Sequence, residues 1–215
     1  MTNRKILTRT VIAVAVVGVV AAMVASTRFV PDGSTLPSPT SSAEGLDPKT
    51  WAQANYDSAV VPAITAKVVP WDTLIGAIVA DPDSACQQYG QQEEGANSCS
   101  FATSITGQLV TGNFDELAVV TASTPQSVTV GFQTGPAITG TALRDASGLV
   151  TFGMFQNQTA YQQAGTELNN VMKQEVLANF DPASALGKTY TVVGAFSWDG
   201  SGHVTITPIS LQVAS

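Results

Sequence analysis

Few side chains in this sequence can do chemistry: two cysteines (Cys86 and Cys99), a single histidine (His203) and one arginine beyond residue 31 (Arg144). His203 alone cannot complete a catalytic triad, and its place at the start of a hairpin strand predicts an exposed turn residue. The sequence contains no G-x-S-x-G nucleophile elbow, no H-E-x-x-H zinc pair, no phosphate loop and no G-x-G-x-x-G opening a helix. No metal site and no cofactor are therefore expected. Carboxylates can serve as general acid and base when two face one cleft with separated pKa values. Glu93-Glu94, Asp115-Glu116 and Asp81/Asp83 are the candidate pairs, but all lie in turn-like contexts that favour solvated loop acids.

Arg144 has more to offer, because its guanidinium is a rigid fork of five donors suited to carboxylates, phosphates or hydroxyl groups. It sits beside Asp145 in GTALRDASG, and Gln156, Asn157 and Tyr161 follow closely. A donor fork, two carboxamides and an aromatic face together make a candidate site for a small polar ligand: Arg144, Asp145, Gln156, Asn157 and Tyr161. A structural salt bridge from Arg144 to Asp145 or Glu167 is the competing reading. Phe152 and Phe155 read as core residues, and Asn157-Gln158-Thr159 matches a glycosylation sequon.

The elements that must position these residues follow from periodicity. Asp47-Pro48 caps a first helix running to about Val61, with Pro62 expected to kink it, and a second short helix starts at Trp71. After Cys99 the pattern turns to alternation: SFATSITGQLV, ELAVVTAS and QSVTVGFQTG predict three antiparallel strands, and GPAITGTAL reads as an extension of the third. Apolar residues from Tyr161 to Val176 recur at three and four, the clearest amphipathic helix in the chain. TYTVVGAFSW and HVTITPISLQV then form a hairpin around Asp199-Gly200-Ser201-Gly202, with a bulge required at Pro208. Three strands, a helix and two strands is the order of the five-stranded OB barrel, in which the helix between strands 3 and 4 plugs one end. The expected fold is thus α+β, mostly β: an OB-like barrel preceded by two helices, although another α+β sheet or a sandwich would satisfy the same order.

Charge and hydropathy place this domain. Four of the nine basic residues precede position 31 and all sixteen acidic residues follow it, so the later part carries 5 − 16 = −11, against nucleic-acid binding. Residues 1–9 are basic, and the uncharged residues 10–26 would form a helix of roughly 25 Å. The positive flank predicts a cytoplasmic N-terminus and an extracytoplasmic domain, whether the helix is kept as a single-pass anchor or cleaved at the small residues near its end. Residues 27–46 read as a Pro/Ser/Thr-rich spacer and 47–215 as the domain. Outside the membrane Cys86 and Cys99 can oxidise, so a structural disulfide is expected, with free thiols as the alternative.

The stretches YDSAVVPAI, IGAIVADPDSACQQYG, GPAITGTALRDASGLVTFGMFQNQTAYQQAGTELNNVM, LGKTYTVVGAFSW and ITPISLQV resemble a bacterial family of predicted periplasmic lipoproteins, the domain of unknown function 2291. The resemblance implies an extracytoplasmic OB-like domain, often encoded beside ABC importers for ribose-type sugars, with no assigned catalytic residue. This sequence departs from the family by having no cysteine at the end of its apolar segment to carry a lipid. The expectation is a membrane-tethered, non-catalytic accessory or binding protein, with ABC-type sugar importer components as partners. The alternatives are an extracytoplasmic hydrolase working through carboxylates and a purely structural envelope protein.

Overall fold

The computed structural model describes residues 45–93 and 97–214. The apolar segment 10–26 and Glu94 lie outside the described residues, among which no helix is long and apolar enough to cross a membrane.

Asp47 opens α1 (Pro48–Asn55), its carboxylate accepting the Thr50 N–H at 2.8 Å, with Pro48 in the first turn where no donor is needed. A wide π turn over Tyr56–Val60 then leads into α2 (Val61–Thr65). Pro62 lacks the N–H that would bond four residues back, and the widened turn accommodates that loss in place of a simple kink. A two-residue strand β1 (Val69–Pro70) leads to α3 (Trp71–Ala80) and α4 (Pro82–Tyr89), the latter capped by Asp81.

The barrel strands are β2 (Cys99–Thr111), β3 (Glu116–Val120), β4 (Thr129–Gln133), β5 (Thr189–Trp198) and β6 (His203–Val213). Their order is β2-β3-β4-β6-β5, and β5 pairs back onto β2 to close the barrel, with β1 added in parallel beside β2. β4 runs parallel to β6 and every other barrel pair is antiparallel. Closure uses the length of β2: Cys99–Gln108 pair with β5 and Gln108–Thr111 with β3. The anticipated bulge is present, since Val193 faces Ser210 but Gly194 faces Pro208. Any side chain at Gly194 would collide with the Thr207 carbonyl.

Two differences from the sequence expectation matter for the site. Helices hold about 40% of the folded part, more than a mostly β reading allows. No strand extends over GPAITGTAL (135–143); its last two residues instead open the helix α5 (Ala142–Ser147). Leu143 and Ala146, three apart as on one face of a helix, are both buried against the second core below. The helix anticipated between strands 3 and 4 is α6 (Gln158–Glu175), followed by the short α7 (Pro182–Ala185).

The barrel interior (Phe101, Ile105, Leu109, Val130, Phe132, Val192, Phe196, Ile206) is continuous with Trp71, Leu74, Ile75 and Ile78 of α3. Leu168 and Met172 of α6 join instead a second core with Ala52, Tyr56, Leu143, Ala102 and Ala195. α3 therefore supplies the plug, while α6 packs over the outer wall with α1 and α5, helped by small Ala164 and Gly165 on its buried face.

Candidate functional site

Three short segments meet at the N-terminal end of α6. Asn157 caps that helix, its side-chain oxygen accepting the Ala160 N–H at 2.9 Å, so the first turn presents Gln158, Tyr161 and Gln162 on one side. α5 supplies Arg144 and Asp145. The segment after α4 supplies Gln91 and Glu93, and it is fastened by the Cys86–Cys99 disulfide and by paired hydrogen bonds between Gln91 and Ser100. Lys67 locks the arrangement from below, donating to Gln91 Oε1 (3.2 Å) and to the carbonyls of Ala146 (3.0 Å) and Ser147 (2.9 Å) at the end of α5. Burial lowers the Lys67 pKa from its ordinary value.

Together these residues enclose a cleft of about 480 Å³, walled by Gln91, Glu93, Ser98, Thr141, Arg144, Asp145, Phe152, Gln158, Tyr161 and Gln162. A second hollow shares Gln91, Glu93, Asp145, Phe152 and Tyr161 with it and runs on to Val150 and Gly153. Arg144 is 5% exposed. Its Nε donates to Asp145 Oδ1 at 2.7 Å, its Nη1 to the Tyr161 carbonyl and to Gln162 Oε1, both at 3.3 Å, and its guanidinium lies 3.9 Å from the centre of the Tyr161 ring. Thr141 Oγ1 donates to the other Asp145 oxygen at 2.7 Å. The Tyr161 hydroxyl donates to Glu93 Oε2. Burial first, and then that hydrogen bond, push the phenol pKa up, which keeps the proton on Tyr161.

Of the five predicted site residues, Arg144, Asp145 and Tyr161 come together, and Arg144 does form the salt bridge that was the competing reading. Gln156 and Asn157 line neither hollow. The Asn157 side chain is committed to capping α6, and the Gln156 backbone is pressed against Gly45. Their places are taken by Gln158 and Gln162, which follow from helical spacing with Tyr161, and by Gln91, Glu93 and Ser98, which come from a distant loop and leave no local signal. Phe155 is buried against Trp51, as expected of a core residue, but Phe152 is 48% exposed and meets the Tyr161 ring edge-on at 5.9 Å. Cys86 and Cys99 are joined as anticipated.

Two further expectations need correction. His203 is half-buried and bonded on both ring nitrogens, and Glu116 is a buried strand residue. Both depart from a reading of exposed turns because β3, β4 and β6 lie side by side and bring His203 within reach of Glu116. Asp81 is spent as the α4 cap. Among the described residues no cluster of three or more His, Cys, Asp or Glu side chains is placed to hold a metal ion.

Barrel topology and closure define an OB-fold protein, and a solved OB-fold protein from Thermotoga maritima MSB8 is similar, with a TM-score of 0.64 at 17% identity over 79% of this chain and 99% of that one. Comparison with curated proteins gives no match. Residues 17–212 match the model of the predicted periplasmic lipoprotein family, domain of unknown function 2291, and the chain belongs to that family. Membership places it among extracytoplasmic, membrane-associated proteins, in keeping with the disulfide. The lipid of the family description has no attachment thiol in this sequence, since both cysteines are in the disulfide.

Proposed function

We propose that this chain is a binding protein, tethered by residues 10–26 with its domain outside the membrane, whose Arg144 cleft takes a small, neutral, polyhydroxylated molecule without acting on it chemically and which assists an ABC-type importer of such solutes. The observation that carries this reading is the state of Arg144. Asp145 neutralises it and Nη1 is engaged, yet among the described residues Nη2 has no hydrogen-bond partner. One fork of a rigid guanidinium is thus available for a hydroxyl oxygen, beside three carboxamides and an exposed aromatic face on Phe152. With Glu93 and Asp145 both present against one Arg, the cleft disfavours an anion. The hydrolase alternative draws on the same two carboxylates sharing the cleft. Both, however, are already engaged as acceptors, Asp145 by Arg144 and Thr141 and Glu93 by Tyr161.

Calorimetry of the full chain with pentoses, hexoses and a sugar acid tests the proposal. Neutral sugars should bind, the sugar acid should not, and Gln158→Ala or Phe152→Ala should weaken binding by about tenfold, near 1.4 kcal/mol. Absence of any sugar binding, or variants indistinguishable from wild type, would refute it. Affinity capture from membranes tests the importer association separately.

A further inference from the structure

Beyond the binding cleft, one set of side chains on the outer face of β3, β4 and β6 has an arrangement that the proposed function does not use. Thr129 and His203 are directly opposed across the parallel β4–β6 pair, and Thr129 Oγ1 lies 2.8 Å from His203 Nδ1. The other ring nitrogen, Nε2, is 3.0 Å from Glu116 Oε2, reached across Gly131, where any side chain would overlap the carboxylate. The Glu116 side chain is 5% exposed, and its second oxygen, Oε1, is buried with no partner among the described residues. A carboxylate left half-satisfied in an otherwise well-bonded wall calls for an explanation. With Glu116 accepting from Nε2–H, the ring is held in the tautomer whose Nδ1 lone pair faces the Thr129 hydroxyl. The Asn113 side-chain nitrogen lies 3.1 Å from the same Nε2, and this tautomer requires that amide to be turned over so that its oxygen accepts there. Hydroxyl, imidazole and buried carboxylate in this connection are the parts of an activated nucleophile.

We propose that Thr129 is a nucleophilic hydroxyl that accepts acyl groups, with His203 as its general base and Glu116 as the positioning residue, acting on short acyl esters of polar alcohols. Thr129 is exposed, as a nucleophile must be. His203 also walls a cavity of about 270 Å³ lined with Ser197, Asp199, Ser201, Thr205 and Thr207, a polar surface suited to the alcohol part of such an ester. Thr129 Oγ1 attacks the acyl carbon as its proton passes to His203 Nδ1, and the resulting imidazolium is stabilised through Nε2–H by Glu116. The bond from acyl carbon to alcohol oxygen breaks, His203 returns the proton to the departing oxygen, and an acyl-threonine ester remains. Water activated by the same nitrogen then releases the carboxylic acid and restores Thr129.

Full-length protein incubated with p-nitrophenyl acetate and mapped by peptide mass spectrometry tests the proposal. The expected result is one acetyl group on Thr129. His203→Gln should slow acylation by about 10²–10⁴-fold, the usual worth of a positioned base. Thr129→Ser, which keeps the fold and presents a less hindered alcohol, should be acylated at least as fast as wild type. Glu116→Gln should displace the pH profile of acylation relative to wild type, an effect that loss of a structural contact alone would not produce. No acetyl on Thr129, equal labelling in His203→Gln, or loss of labelling in a folded Thr129→Ser would overturn it. None of these outcomes depends on sugar binding at the Arg144 cleft.

Discussion

Arg144 is held on three sides, by the Asp145 carboxylate, by the Tyr161 carbonyl and by the face of the Tyr161 ring. Truncating it removes a buried charge, leaves Asp145 with only Thr141 as a partner, and empties the space above the aromatic ring. Arg144→Ala should therefore lower stability by about 2–4 kcal/mol, measured by urea unfolding, as well as weaken ligand binding. Arg144→Lys keeps the charge and loses the fork, so it should bind more weakly while losing less stability; an Arg144→Ala protein as stable as wild type would contradict the structural part of this account. Arg144 was legible in the sequence because it is the lone arginine of an acidic domain. Gln156 and Asn157 were chosen because they stand close to it in sequence, but the chain turns there. Asn157 faces its own helix as a cap, while Gln158, one residue on, faces the cleft.

At the scale of elements, periodicity located what is long and regular. α6, the three strands after Cys99 and the final hairpin with its bulge near Pro208 were all visible, because each repeats its apolar period several times. α5 was not, because six residues hold fewer than two helical turns and no side chain caps its start at Thr141. The loop between Cys86 and Cys99 has little core of its own, yet it carries Gln91, Glu93 and Ser98 into the cleft. Reducing the disulfide frees this loop in the unfolded chain and loosens it in the folded one. Cys86→Ser/Cys99→Ser should lose about 3 kcal/mol of stability, and its sugar affinity should fall more than that of a stability-matched variant in the barrel core. A double-serine protein with unchanged stability and affinity would show that the loop is held by Lys67 and β2 alone.

For the molecule as a whole, element order suggested the OB topology, but closure was beyond the sequence because it depends on β5 finding β2 more than eighty residues away. Packing of the helical segments outside the barrel places two phenols under cover. Burial pushes the Tyr56 hydroxyl pKa up, and burial with the Glu93 hydrogen bond does so for Tyr161, both from an ordinary 10.0. Groups with raised folded-state pKa values contribute stability that is fully present below the unfolded value and is lost as pH climbs from there toward the folded one. The urea midpoint should thus fall as pH rises past 10.0, and a Tyr56→Phe/Tyr161→Phe protein should lose much of that slope. An identical slope in the double variant would mean that other groups govern alkaline unfolding.

The central claim is that the polar cleft between α5, α6 and the disulfide loop is where this membrane-associated domain takes its ligand. Hydrogen exchange of the full chain, followed by mass spectrometry with and without the tightest-binding sugar, tests it most directly. The account predicts slowed exchange in the segments containing Gln91 to Glu93, Thr141 to Asp145 and Gln158 to Gln162, with β3 and β4 unchanged. Protection confined to β3, β4 and the hairpin at Asp199–His203, with the three cleft segments exchanging as in the free protein, would contradict it.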